Sequence, residues 1–244
     1  MPKTWTESEL KNISDSLEGR SPEEAIRWAV ENFETKELSL ACSFGAEDVV
    51  LVDMLVKIKP DARIFYLDTD LLFKETHEVM EKLKARYGIS PERYGAKRTL
   101  EDMEKEFGPE LWKKQPDKCC DIRKMVPLAE ALSELRCWIT GIRRDQAPTR
   151  ANAPVVSWDA KFGLVKINPL VRWTTKDVWD YITKNNVPYC TLHDKNFPSI
   201  GCEPCTRPST TGTPLSVASP DGPSKSWRTT TIAPTRPCSP RLWL

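Results

Sequence analysis

The 244-residue sequence lacks any apolar run of membrane length: the longest near-apolar stretch, Val49 to Val56, is interrupted by Asp53. A spanning helix needs about 20 such residues. The opening residues, Met1-Pro2-Lys3-Thr4-Trp5-Thr6-Glu7, offer no apolar core for a secretory signal. A cytoplasmic protein is expected, and a disulfide framework is not. Net charge is only +1, which gives no electrostatic ground for binding nucleic acid or membrane. There are only two histidines. His77 falls among Glu75, Glu78 and Glu81 on a solvated helical face, and His193, in Leu192-His193-Asp194, reads as an aid to folding. No Ser-His-Asp arrangement and no internal repeat is visible. What remains, 39% apolar and 29% charged, describes an ordinary globular chain: one α/β domain, or a domain with a tail.

The charge balance conceals an asymmetry. Residues 206–244 carry five basic side chains (Arg207, Lys225, Arg228, Arg236, Arg241) against Asp221, a net +4, while residues 1–205 sum to −3. Of those 39 residues, 21 are Pro, Ser or Thr. Such a composition buries too little apolar surface to offset the entropy of ordering, so the expected division is a domain at 1–205 and a disordered tail at 206–244.

Within the first 205 residues, strand and helix patterns alternate. Ser21-Pro22-Glu23-Glu24 has the form of a capped helix start, with Ala25, Ile26, Ala29, Val30 and Phe33 at helical spacing. Leu38 to Cys42 reads as a buried strand, and Glu47 to Val52 begins a helix. Arg63 to Leu67 reads as a second strand, Phe73 to Tyr87 as a helix, and Arg136 to Ile142 as a third strand. Val155–Trp158 and Leu164–Ile167 suit a hairpin around Lys161-Phe162-Gly163, and Thr174 to Asn185 a final helix stopped by Pro188. This alternation predicts an α/β fold, a parallel sheet flanked by helices. Sites in such folds gather at the carboxyl ends of strands.

Three strand ends are polar. Ser43-Phe44-Gly45-Ala46-Glu47-Asp48 turns a strand into a helix whose first N–H groups suit an anion, with the Ser43 hydroxyl as a further donor. It has neither the lysine of a P-loop nor dinucleotide-fingerprint spacing, so an ordinary βα turn is an equal reading of that stretch alone. Leu67-Asp68-Thr69-Asp70 offers a contact for a base or ribose, or a helix cap. Gly141-Ile142-Arg143-Arg144-Asp145-Gln146-Ala147-Pro148-Thr149-Arg150 places three arginines after a strand, where guanidinium forks match phosphate and sulfate.

Cysteine carries the sharpest signal. Of eight, four form a vicinal pair, Cys119-Cys120, and a CxxC, Cys202 and Cys205, with 81 residues between the two arms. Four thiolates suit an iron–sulfur cluster or tetrahedral zinc. Adjacent cysteines are awkward for one tetrahedral ion, whereas a cubane distributes its ligands over four irons. Arg123, Lys124 and Arg207 beside the two arms would offset thiolate charge. Buried structural thiols account for Cys42 and Cys137.

The ordered set of motifs resembles the thioredoxin-dependent adenylyl-sulfate reductase family. It rests on Ser43–Asp48, Leu67-Asp68-Thr69, Cys119-Cys120-Asp121-Ile122-Arg123-Lys124, Thr140–Gln146 and Pro198–Arg207, and spans about residues 20–208. The resemblance implies an adenine nucleotide α-hydrolase-like fold with a modified pyrophosphatase (PP) loop. It implies a 4Fe-4S cluster on Cys119, Cys120, Cys202 and Cys205, with Lys124 linking cluster and substrate electrostatically. Family members convert adenosine 5′-phosphosulfate to sulfite and AMP with thioredoxin as reductant, and a homo-oligomer is compatible with the pattern. By the same resemblance Ser43 and Gly45, with Gly141, Arg143, Arg144 and Arg150, hold the phosphosulfate, and Leu67, Asp68 and Thr69 lie near the adenosine. Sister enzymes that act on the 3′-phosphorylated nucleotide typically lack the cluster cysteines. A PP-loop ATP pyrophosphatase would show Ser-Gly-Gly-x-Asp-Ser, which Phe44 and Ala46 break. A zinc-stapled binding module is the non-enzymatic alternative.

The family's nucleophilic cysteine sits in a C-terminal Glu-Cys-Gly-(Leu/Ile)-His segment. This chain has instead Arg236-Pro237-Cys238-Ser239-Pro240, so no catalytic cysteine is matched. The abrupt change after Pro208 has the look of an out-of-frame C-terminus, and the expectation is a chain that binds cluster and nucleotide but releases little sulfite.

Overall fold

The computed structural model describes residues 4–209; the expected tail, with Cys238, lies outside the described residues apart from its first four positions. Six strands form one sheet in the order β3-β2-β1-β4-β6-β5. These are β1 (Leu38–Ala41), β2 (Arg63–Asp68), β3 (Glu92–Gly95), β4 (Cys137–Ile139), β5 (Val156–Asp159) and β6 (Leu164–Ile167). All neighbours run parallel except β5 and β6, the anticipated hairpin. Gly163, with φ of +72°, makes its turn, a conformation costly for a side chain bearing Cβ.

Alternation along the strands divides the core. Leu38, Leu40, Ile64, Cys137 and Ile139 face one layer, packed with α1 (Glu7–Leu17), α2 (Pro22–Asn32), α3 (Ala46–Ile58), α4 (Lys74–Tyr87) and α9 (Thr175–Asn185). Ala41, Phe65, Trp138 and Leu164 face the other, where α8 (Val126–Leu132) supplies Leu128, Ala131 and Leu132. Every residue of α3 from Asp48 to Val56 is buried, as suits a helix that is apolar on nearly all sides. The expected starts and stops hold locally. Glu24 accepts the Ser21 N–H at 3.0 Å, and Thr174 and Asp177 cap α9 reciprocally. Left-handed Gly88 and Asn186 end α4 and α9.

The third strand is shorter than expected. The strand ends at Ile139, although the Thr140 N–H still donates across to Ile167 O at 2.9 Å. β3 was not anticipated: Glu-Arg-Tyr-Gly at a sheet edge has no apolar alternation. Nor were α1, α8 and three short helices, α5 (Leu100–Phe107), α6 (Leu111–Lys114) and α7 (Pro116–Cys120). The last three share a satellite cluster of Met103, Leu111 and Cys119.

Candidate active site at the strand ends

After β1 the chain runs outward through β2 to β3, then crosses back to place β4 on the other side of β1. The reversal opens a crevice between the carboxyl ends of β1 and β4, the usual location for a ligand in an open α/β sheet. Ser43 and Gly45 lie on one side of it, Gly141 on the other, and Asp68 ends β2 beside them.

The β1–α3 loop is tightly shaped. Phe44 adopts φ of +62°, a left-handed conformation costing a non-glycine residue of order 1–2 kcal/mol. It is held by burial against Tyr66, ring centroids 5.6 Å apart. Gly45 is the N-cap of α3. Ser43 is exposed at the mouth, but its N–H and Oγ–H both donate to Asp48 Oδ2 at 2.6 Å. Burial pushes the Asp48 carboxyl up to about 6, against the two Ser43 hydrogen bonds.

Asp68 behaves oppositely. Burial alone would raise its pKa, but Arg93 Nε donates to Oδ2 at 2.6 Å and the Asp70 N–H to Oδ1 at 2.9 Å, so the carboxyl is held below its ordinary value. Thr69 is buried, and its Oγ1 lies 3.3 Å from Cys202 Sγ, which donates to it. Leu67 is half-buried at the end of β2.

The three arginines after β4 divide. Arg143 is buried, its Nε 3.1 Å from Glu47 Oε1 and its fork donating to Asp145 and Thr175. Arg144 points to the N-terminal layer, where it forks onto Glu18 and donates to Ala153 O. Arg150 donates to Gln146, and desolvation together with Arg143 depresses its pKa against the pull of Glu47. Gln146 in turn donates to Glu47 at 3.1 Å.

The cysteine arms meet the same region from two directions. Cys119 and Cys120 end α7 and run into a π turn, Asp121–Met125, a helix irregularity frequent at functional sites. That turn holds Lys124 half-buried and Arg123 fully buried, with Arg123 donating to Asp70 at 2.8 Å and to Arg98 O at 2.9 Å. Cys202 bridges Leu72, and the Glu203 N–H donates to Leu71 O at 2.7 Å. Both arms thus hang on Asp70–Leu72. Among the described residues, no three His, Cys, Asp or Glu side chains are close enough to share a metal ion. A cluster spreads its ligands over several irons and does not require single-ion spacing. The donor set suits one: Cys119, Cys120 and Cys202 are buried, Cys205 is half-buried, and the buried Arg123 Nε–H has no acceptor among the described residues.

His77 is exposed, and His193 is buried with Nδ1 2.8 Å from Phe197 O. A carbonyl only accepts, so Nδ1 carries a proton, and burial keeps the ring's pKa down. Burial likewise pushes up the thiols of Cys42, Cys137 and Cys190, leaving them poor nucleophiles. Sequence reading assigned no role to Glu47, Asp48, Arg93 or Asp70. Only Asp48, an acid in the first turn of α3, carried a local signal, and its partner Gly141 is distant in sequence.

The parallel sheet, covered on both faces and open at its switch point, defines an α/β fold of the PP-loop kind. A solved structure of FMN adenylyltransferase from Candida glabrata shares that fold, with TM-score 0.57 and 16% identity, covering 88% of this chain and 73% of that one. The model of the phosphoadenosine phosphosulfate reductase domain matches residues 37–208, and the chain belongs to that family, a family of oxidoreductases. A relative from Lysinibacillus sphaericus, named adenosine 5′-phosphosulfate reductase, is 45% identical over 208 residues, covering 85% of this chain and 88% of its own. Phosphoadenylyl-sulfate reductase from Candida auris, solved as a phosphate complex, is 31% identical with TM-score 0.76, covering 85% of this chain and all of that one. The alternatives of a 3′-phosphoadenylyl-sulfate reductase and an ATP pyrophosphatase are not borne out, nor is the expectation of inactivity. Among the described residues no helix is long and apolar enough to cross a membrane.

Proposed function

We propose that this chain reduces adenosine 5′-phosphosulfate to sulfite and AMP in the cytoplasm, with a thioredoxin-type dithiol as electron donor. The carrying observation is the crevice where the Ser43–Asp48 loop and the Gly141 loop face each other across β1 and β4. The α3 N-terminus and Arg150 supply positive potential for the phosphosulfate, and Leu67, Asp68 and Thr69 border the adenosine. Arg143 and Arg144 shape this loop through Glu47 and Glu18. The 42–45% identity to relatives named for the unphosphorylated nucleotide favours it over the 3′-phosphorylated form.

In the reaction so proposed, a cysteine thiolate attacks the sulfur, the bond from sulfur to the bridging oxygen breaks, and AMP leaves with that oxygen. The dithiol then delivers two electrons to the resulting S-sulfonate, releasing sulfite and restoring the thiol. The buried thiols of Cys42, Cys137 and Cys190 do not suit this step. Cys238 is the cysteine beyond the described residues. Cys119, Cys120, Cys202 and Cys205 would hold a 4Fe-4S cluster, which with its four thiolates would be net anionic and would supply polarisable surroundings near the substrate. Arg123 and Lys124 offset thiolate charge there. The reductase unit is proposed to end near residue 205.

Protein purified without oxygen should be brown and contain about four iron and four sulfide per chain. It should release sulfite from adenosine 5′-phosphosulfate in preference to its 3′-phosphorylated form. Colourless protein, or iron retained when Cys119 and Cys120 are both serine, removes the cluster from this reading. Absence of sulfite release removes the activity.

A further inference from the structure

The function just proposed gives Asp48 no role of its own, yet Asp48 joins both walls of the crevice. Its Oδ2 accepts the Ser43 N–H and Oγ–H, both at 2.6 Å. Its Oδ1 lies against Gly141 so closely that a Cβ there would stand 2.5 Å away. Between Ser43 and α3 sits left-handed Phe44, so the loop does not take this shape from its own preference. Among the described residues no cation pairs with Asp48. The groups around it are the Cys42 thiol and Ser43 at the end of β1, Glu47 beside it on α3, and the Gly141 backbone, with Arg143 drawn to Glu47. A buried carboxylate beside a pocket for an anionic ester is unfavourable for both folding and binding. Its charge is therefore not what the site uses; what it uses is Oδ2 as an acceptor and Oδ1 as a spacer against Gly141.

We infer that Asp48 is a positioning residue of the substrate site, latching Ser43 on one wall and spacing it from Gly141 on the other. The inference rests on the reductase reading above. An acceptor at this position suffices for the latch, so Asp48→Asn keeps it and removes a like charge, whereas Asp48→Ala releases it. Gly141→Ala displaces the carboxyl from the other side.

The test uses the full chain, purified without oxygen, with KM and kcat for adenosine 5′-phosphosulfate and the Kd for AMP by calorimetry. Asp48→Ala should raise KM and Kd about tenfold, the scale of a lost hydrogen bond to a charged group, with kcat within about threefold. Asp48→Asn should restore both constants to wild-type values or below. Gly141→Ala should weaken AMP binding in the wild-type background and much less in the Asp48→Ala background, as coupled neighbours do. If Asp48→Ala fails to fold, Asp48→Asn and Gly141→Ala carry the same comparison. Unchanged constants in Asp48→Ala, Asp48→Asn as impaired as Asp48→Ala, or additive effects with Gly141→Ala overturn the inference. Wild-type protein that binds AMP but releases no sulfite defeats the reductase reading while leaving Asp48 to be judged by Kd. Protein that does not bind AMP defeats both.

Discussion

Asp48, in the first turn of α3, and Asp68, at the end of β2, border the same crevice, yet their carboxyl groups move in opposite directions. Burial dominates at Asp48 and lifts it to about 6 from 3.8. At Asp68 the Arg93 guanidinium, with the Asp70 N–H, outweighs burial. The consequence for stability has a definite sign. Between pH 3.8 and about 6 the folded protein keeps the Asp48 proton that the unfolded chain has released, so stability falls as pH rises through that window and levels off above it. Asp48→Asn should remove this component. Urea midpoints compared from pH 4 to 7 should show the variant gaining on the wild type as pH rises; parallel curves would place the Asp48 titration elsewhere. Such a cost in stability fits a side chain retained for its site rather than its fold.

Helix α3 joins that site to the rest of the core. It begins at the crevice and is buried from Asp48 to Val56, with one further acid inside it. Asp53 is fully buried and accepts from Lys57 at 2.6 Å and from the Tyr87 and Tyr181 hydroxyls at 2.7 Å each. These partners come from α3, α4 and α9, so one carboxylate pins three helices. Burial opposes its charge, but the hydrogen bonds of Lys57, Tyr181 and Tyr87 hold its pKa below the ordinary value. Asp53→Ala strands two half-buried phenols and should cost about 2 kcal/mol, read as a lower urea midpoint at neutral pH with an unchanged slope. A loss below about 1 kcal/mol would mean the tyrosines find other partners. The Glu47–Val52 pattern announced a helix, but nothing local revealed that Asp53 further along it would be the acceptor for two tyrosines from other helices.

For the molecule as a whole, the sheet order brings distant segments into one crevice, while composition separates residues 206–244 from the rest. A chain ending at Ser209 retains every hydrogen bond described above. It should melt within about 2 °C of the full chain, in one transition, by calorimetry. A larger drop would show that residues beyond 209 contribute to folding.

Much of this architecture was legible in advance because it is written in local chemistry. β1, β2, the β5–β6 hairpin and helices α2, α4 and α9 follow apolar periodicity and capping residues adjacent in sequence. The motifs at Ser43, Asp68 and Gly141 were readable because strand ends collect polar residues in an α/β fold. β3 and the short helices before Cys119 escaped because their residues are polar, and packing against neighbours rather than local pattern gives them shape. The pairings of Asp48 with Gly141, Asp68 with Arg93 and Asp70 with Arg123 came only from folding. A hydrogen bond between remote residues depends on how the sheet is ordered, and that order follows from burying all the apolar faces at once. Residue types and spacing therefore fixed which chemistry the chain carries, and packing fixed which of those groups meet and which carboxyls stay charged.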